Sequence, residues 1–130
     1  MADRSKDWFA QAQRDLSHAS DASKGGHFEW ACFSVQQGAE KAVKAVYLHL
    51  HGEGWGHSVL KLLEGLGDQV NISEDLFDAA RTLDKHYIPT RYPNGFDQGF
   101  PGDYYTQKEA AEAIGYARRV IEFCEDLLRR

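Results

Sequence analysis

The chain has 130 residues, 42% of them apolar, and a formal net charge of −5. That length suits one domain, residues 1–130, and leaves no room for a second. The composition excludes a disordered chain, and the acidity argues against broad, charge-driven binding to duplex DNA, which needs a basic face.

From the amino terminus, residues 1–7 are charged and lead into no apolar run long enough for a signal peptide or a membrane span. A cytoplasmic protein with no membrane contact is expected. The first segment, about Ser5 to Lys24, spaces Trp8, Phe9, Ala12, Leu16, Ala19 and Ala22 at three- and four-residue intervals, which predicts an amphipathic helix with Trp8 on its core stripe. Gly25 and Gly26 interrupt it. The second, about Phe28 to His51, continues the pattern through Ala31, Cys32, Val35, Ala39, Val43, Val46 and Leu50, with Gly52 as the expected C-cap. Its length makes it the central helix.

Ser58 is placed to cap a shorter helix carrying Val59, Leu62, Leu63 and Leu66, ended by Gly65 and Gly67. Ser73 caps a fourth with Leu76, Phe77, Ala80, Leu83 and Tyr87 on its inner face, and Pro89 is expected to stop it. The stretch from Pro89 to Tyr105 holds all three prolines and five aromatics, Tyr92, Phe96, Phe100, Tyr104 and Tyr105. It is too apolar for a free tether and is expected to pack down, either walling a cleft beside Arg91 or supplying dimer contacts. Thr106 to Glu109 matches a capping box, and Ala110, Ala113, Ile114, Ala117, Ile121, Cys124 and Leu128 follow at helical spacing. The predicted fold is all-α, an up-and-down antiparallel bundle of four main helices plus one short helix.

Cys32 and Cys124 sit on apolar stripes, far from any partner at metal-ligand spacing, and read as reduced core thiols. His49 and His51 point to different sides of a helix, so no metal site is expected there. His18 and His27 read as surface or helix-end residues, and His57 as a residue that orients its loop by a hydrogen bond. Trp30 is expected to pack at the start of the central helix. Trp55, between Gly54 and Gly56, is either a loop anchor or part of a partner surface. Neither a glycine-rich phosphate loop, a paired-carboxylate site nor a nucleophilic Ser or Cys constellation is visible, and no cofactor is expected.

Two features rise above generic bundle composition. Gln37, Glu40, Lys41 and Lys44 share one face of the second helix, where composition suggests a solvated ridge with a Glu40 to Lys44 pair. The second is the passage from Arg81 to Pro93, which crowds cations, His86 and the phenols of Tyr87 and Tyr92 around a helix end. Arg81 and His86 are turned about 140° apart on an ideal helix, so they converge only through the length of the arginine. His86 near a helix C-terminus is expected to hold its proton more firmly than free imidazole does.

The order Gln36-Gln37-Gly38-Ala39-Glu40-Lys41-Ala42-Val43-Lys44, then His57 followed by Leu60 and Leu63, then Tyr87-Ile88-Pro89-Thr90-Arg91-Tyr92-Pro93, then an alanine-rich last helix, resembles the HEPN domain family over nearly the whole chain. The resemblance implies a helical bundle that often forms a homodimer and pairs with a minimal nucleotidyltransferase encoded separately. It also implies one of two activities. In the first, the protein is a non-catalytic nucleotide- or RNA-binding subunit in which Lys44 and Arg91 contact phosphates and Tyr87 or Tyr92 stacks on a base, with Gln37, Glu40 and Lys41 in support. In the second, it is a metal-independent ribonuclease whose Arg-x4-His motif is Arg81 and His86, the imidazole moving the proton and the guanidinium stabilising phosphate charge. Thr82 stands where toxin members usually carry Asn, and Tyr87 follows His86 directly, which favours the first.

Overall fold

The computed structural model describes residues 3–130 and, over these, has helices as its only regular secondary structure, with no strand. The elements are α1 (Ser5–Lys24), α2 (Phe28–His49), α3 (Val59–Leu66), α4 (Glu74–Asp84), α5 (Pro101–Tyr104) and α6 (Gln107–Leu128), with one 3-10 turn at Pro93–Gly95. Four main helices thus carry two short ones. The four-residue α5, inside the proline-rich stretch, goes beyond the single short helix expected.

Helix α2 lies at the centre, touching all five other helices. Small residues make this possible: Ala12 and Ala19 of α1 and Ala110, Ala113 and Ala117 of α6 are fully or almost fully buried, as are Ala31, Val35, Ala39, Val43 and Val46 of α2. A Cβ at Gly38 would lie 3.1 Å from the Ala12 carbonyl oxygen, so the absent side chain lets α1 and α2 approach closely. Larger groups, Leu63, Leu66 and Leu83, close the core where α3 and α4 cover it, each contributing about 1.5–3 kcal/mol by burial.

The expected caps are present. The Ser58 and Ser73 side chains accept from Lys61 N and Leu76 N, and Thr106 and Glu109 form the reciprocal box that opens α6. Two helix ends differ from expectation. Helix α2 stops at His49, because His51 rather than Gly52 takes the left-handed position (φ 65°), while Gly52 N donates to Tyr47 O and His51 N to Leu48 O. That is a Schellman closure, and it uses a non-glycine residue. Helix α4 stops at Asp84, well short of Pro89. The proline removes the donor that would satisfy the Lys85 carbonyl and disfavours helical geometry at Ile88, so the chain tightens early into turns, with His86 N on Leu83 O and Tyr87 N on Asp84 O.

Asp84, the last residue of α4, ties that end of the helix to α3. Its carboxylate accepts from Ser58 Oγ (2.8 Å), Val59 N (2.9 Å) and Leu60 N (3.0 Å), and Gln36 Nε2 lies 3.3 Å away. An acid at the tip of α4 therefore satisfies the unpaired amides that open α3. Cys32 and Cys124 are buried free thiols, and no helix among the described residues is long and apolar enough to cross a membrane.

Candidate functional site

The polar ridge of α2 is not a solvated face. Glu40 is only 4% exposed, because α2 is covered on that side by the loop that leads into α3. A carboxylate there requires partners, and it has three: Lys44 Nζ at 3.0 Å, Gln37 Nε2 at 3.3 Å and His57 Nδ1 at 3.3 Å from both oxygens. The Glu40 to Lys44 pair is thus present, in a buried setting. Lys41 turns away to Asp15 of α1, at 2.6 Å.

His57 is fixed at three points. Gln36 Nε2 donates to its carbonyl at 2.7 Å, Glu40 faces Nδ1, and its ring stacks on Tyr87 with centroids 5.2 Å apart and planes 17° from parallel. The hydrogen bond expected of it is therefore one of several. Acceptor oxygens at Nδ1 place a proton there and leave Nε2 facing outward from the pair.

Beyond Tyr87 lies Arg91. Its Nε donates to the Tyr87 carbonyl at 2.9 Å, and its guanidinium sits 4.4 Å from the Phe33 ring centre, 4.8 Å from that of Tyr87 and 5.1 Å from that of Tyr92. Among the described residues no carboxylate forms an ion pair with it. A guanidinium held by aromatic faces and left without an acid keeps most of its donors for an anion. Lys44, Glu40, His57, Tyr87, Arg91 and Tyr92 therefore form one continuous run across the bundle.

Arg81 and His86 are not brought together within the protomer. Arg81 pairs with Asp78 at 2.7 Å and approaches Glu74 at 3.9 Å on the exposed face of α4. His86 turns inward, 9% exposed, with Nδ1 3.5 Å from the Tyr105 hydroxyl, and Thr90 Oγ1 donates to its carbonyl at 2.7 Å. Burial holds its imidazole below the ordinary pKa despite Glu109 nearby, opposite to the proton affinity expected of a helix-end histidine. The turn that ends α4 early is what takes it off the helix terminus. Burial likewise raises Tyr105 to about 12.

Trp8 departs from its core assignment. It is 38% exposed, with Lys44 Nζ 6.0 Å from its ring, and together with Lys44, Leu48, His57 and the loop at 53–56 it lines a groove of about 450 Å³. Trp30 is also half exposed, edge-on to Phe33. In the proline-rich stretch, Phe96 stacks on Tyr104 with centroids 4.4 Å apart, while Tyr92, Phe100 and Tyr104 keep large exposed faces. Sequence reasoning gives no role in the site to Phe33, Gln36 or Asp84. Gln36, wholly buried, is the one of the three that stands in the segment carrying the family resemblance.

The fold and this run of groups define a helical bundle that presents a mixed cationic and aromatic site where α2 meets the tip of α4. The chain belongs to the HEPN domain family, whose model matches residues 5–127. It is similar to TT1696 from Thermus thermophilus, with a TM-score of 0.94, 43% identity and coverage of 97% of this chain and 99% of that one. The archaeal HEPN homologue ST0689 superposes with a TM-score of 0.82 at 39% identity, covering 98% and 99%. A HEPN domain protein from Thermotoga maritima gives 0.79 at 41% identity, covering 95% and 98%. The Methanocaldococcus jannaschii protein named "Putative toxin MJ1304" is 28% identical over 129 residues, 92% of this chain and 84% of that protein.

Proposed function

We propose that this HEPN protein is a nucleotide- or RNA-binding accessory subunit that works in the cytoplasm beside a minimal nucleotidyltransferase, in a toxin–antitoxin-like pair. The observation that carries the reading is Arg91, a guanidinium with no acid partner among the described residues, oriented by Phe33, Tyr87 and Tyr92. Arg91 contacts phosphate, and Tyr92, with its exposed face, is the stacking candidate beside it. Tyr87 is committed to His57 and Arg91 and acts as their platform. Lys44 is neutralised by Glu40, so it reaches an anion only by sharing that bond.

Equilibrium binding of ATP, GTP and a short single-stranded RNA, in excess chelator, tests the reading. Wild-type protein is expected to bind at least one of them and Arg91→Ala to lose most of that affinity. Binding indifferent to Arg91 ends the proposal. The subunit is further proposed to be a homodimer, with Tyr92, Phe100 and Tyr104 at or near the contact, and sedimentation at micromolar concentration checks this.

A second reading, a metal-independent ribonuclease, draws support from the relative that carries a toxin name. It would use Arg81 and His86 as the family motif places them, and it requires the buried His86 to become accessible to RNA. RNA cleavage in chelator by wild type, abolished in His86→Ala with the fold intact, would establish it over the accessory reading.

A further inference from the structure

Trp55 is the most exposed large apolar side chain among the described residues, at 80%, and the loop that presents it is not loose. On one side, a Cβ at Gly54 would lie 2.9 Å from the Tyr47 ring and 3.0 Å from Leu62, so the backbone there is pressed against the bundle. On the other, Gly56 takes φ +87°, a conformation other residues rarely adopt. Two glycines thus fix a backbone whose central residue holds an indole out in water. The next residue but one, His57, is the imidazole held by Gln36, Glu40 and Tyr87.

The surface this creates is the groove of about 450 Å³, within the range of small-molecule sites. Trp55, Trp8 and Leu48 supply its apolar wall, Lys44 and His57 its cationic and imidazole side, and Glu53 an acceptor. His57 also connects it, through the shared Tyr87 ring, to Arg91. Planar apolar surface at one end and, past the His57–Tyr87 stack, the acid-free Arg91 guanidinium at the other match a molecule that is itself an aromatic base joined to phosphate. A purely apolar ligand would leave the unpaired Arg91 unused, and a simple anion would leave both indoles unused.

We propose that this groove seats the base of a nucleotide, stacked on Trp55, with its phosphates running past His57 toward Arg91. The inference rests on the phosphate-binding reading of Arg91 given above and moves base recognition from Tyr92 to the Trp55 groove.

The test compares GTP and ATP with inorganic tripolyphosphate, in chelator, on wild type, Trp55→Ala and Arg91→Ala. Because Trp55 projects into solvent, its removal leaves the core untouched. Wild type is expected to bind a nucleotide on the order of tenfold or more tighter than tripolyphosphate, the size of effect a stacked base gives. Trp55→Ala is expected to erase that margin and leave tripolyphosphate binding unchanged. A margin that survives Trp55→Ala overturns the inference. So does a wild type that binds tripolyphosphate through Arg91 with no preference for a base, an outcome that leaves the parent reading standing. No binding of any of these probes overturns the inference, and it takes the parent reading with it unless the short single-stranded RNA still binds through Arg91.

Discussion

The imidazole of His57 lies flat on the phenol of Tyr87, ring centres 5.2 Å apart, and the Arg91 guanidinium sits 4.8 Å from the same ring. One side chain from the turn after α4 therefore orients two potential phosphate contacts drawn from different parts of the chain. Tyr87→Leu is expected to weaken nucleotide binding roughly tenfold, as loss of a desolvated cation–π contact would. Tyr87→Phe, which keeps the ring, is expected to bind like wild type. Equal affinity for all three proteins in calorimetric titration would show that the ring orients nothing.

Asp84 carries a second prediction. Its carboxylate serves one hydroxyl and two backbone amides at the start of α3, and Asp84→Ala leaves all three without their acceptor. Urea unfolding is expected to show a loss of about 2–4 kcal/mol. Asp84→Asn, which retains one acceptor oxygen, is expected to fall between. A loss for alanine no larger than that of an ordinary surface substitution would contradict this account of how α3 is held.

For Glu40, removal of the acid is expected to be worse than removal of the pair. Glu40→Ala strands the Lys44 ammonium, whose side chain is only 14% exposed, and leaves Gln37 and His57 unpaired on that side. The expected loss is about 3 kcal/mol. Adding Lys44→Met is expected to restore more than half of it, since no buried charge then remains. Purely additive losses in the double mutant would mean that the two side chains do not depend on each other.

His86 sets a pH dependence. Burial holds its folded-state pKa below 6.5, so the unfolded chain takes up the proton first. The stability that depends on a neutral imidazole is complete above about pH 6.5 and falls as pH drops toward the folded value. Stability measured from about pH 7.5 to about pH 5 is expected to decline more steeply for wild type than for His86→Gln. Parallel curves would place His86 in water, against its observed burial.

The bundle is readable because each helix is marked locally. Ser58, Ser73 and the Thr106 box state where helices begin, and three- and four-residue spacing states which side is buried. The site is readable only in part. Tyr87, Arg91 and Tyr92 stand together in the chain, and Lys44 shares a ridge with Glu40. What joins them is long-range: Asp84 reaching α3, Gln36 reaching the His57 carbonyl, Phe33 lying under Arg91. No spacing rule connects such pairs. His86 illustrates the opposite hazard, for its helix-end position implies an exposed, proton-holding group, and the early turn before Pro89 folds it inward instead.

The two thiols give the protein a use in the laboratory. Cys32 in α2 is raised to about 12 by burial, and Cys124 in α6 is raised further still, so at neutral pH neither offers the thiolate that alkylating reagents attack. With no other cysteine in the chain, modification requires the helices to part. The rate of labelling at each position thus clocks how often that helix opens, and comparing the two would tell whether the bundle breathes as a unit or frays along one seam.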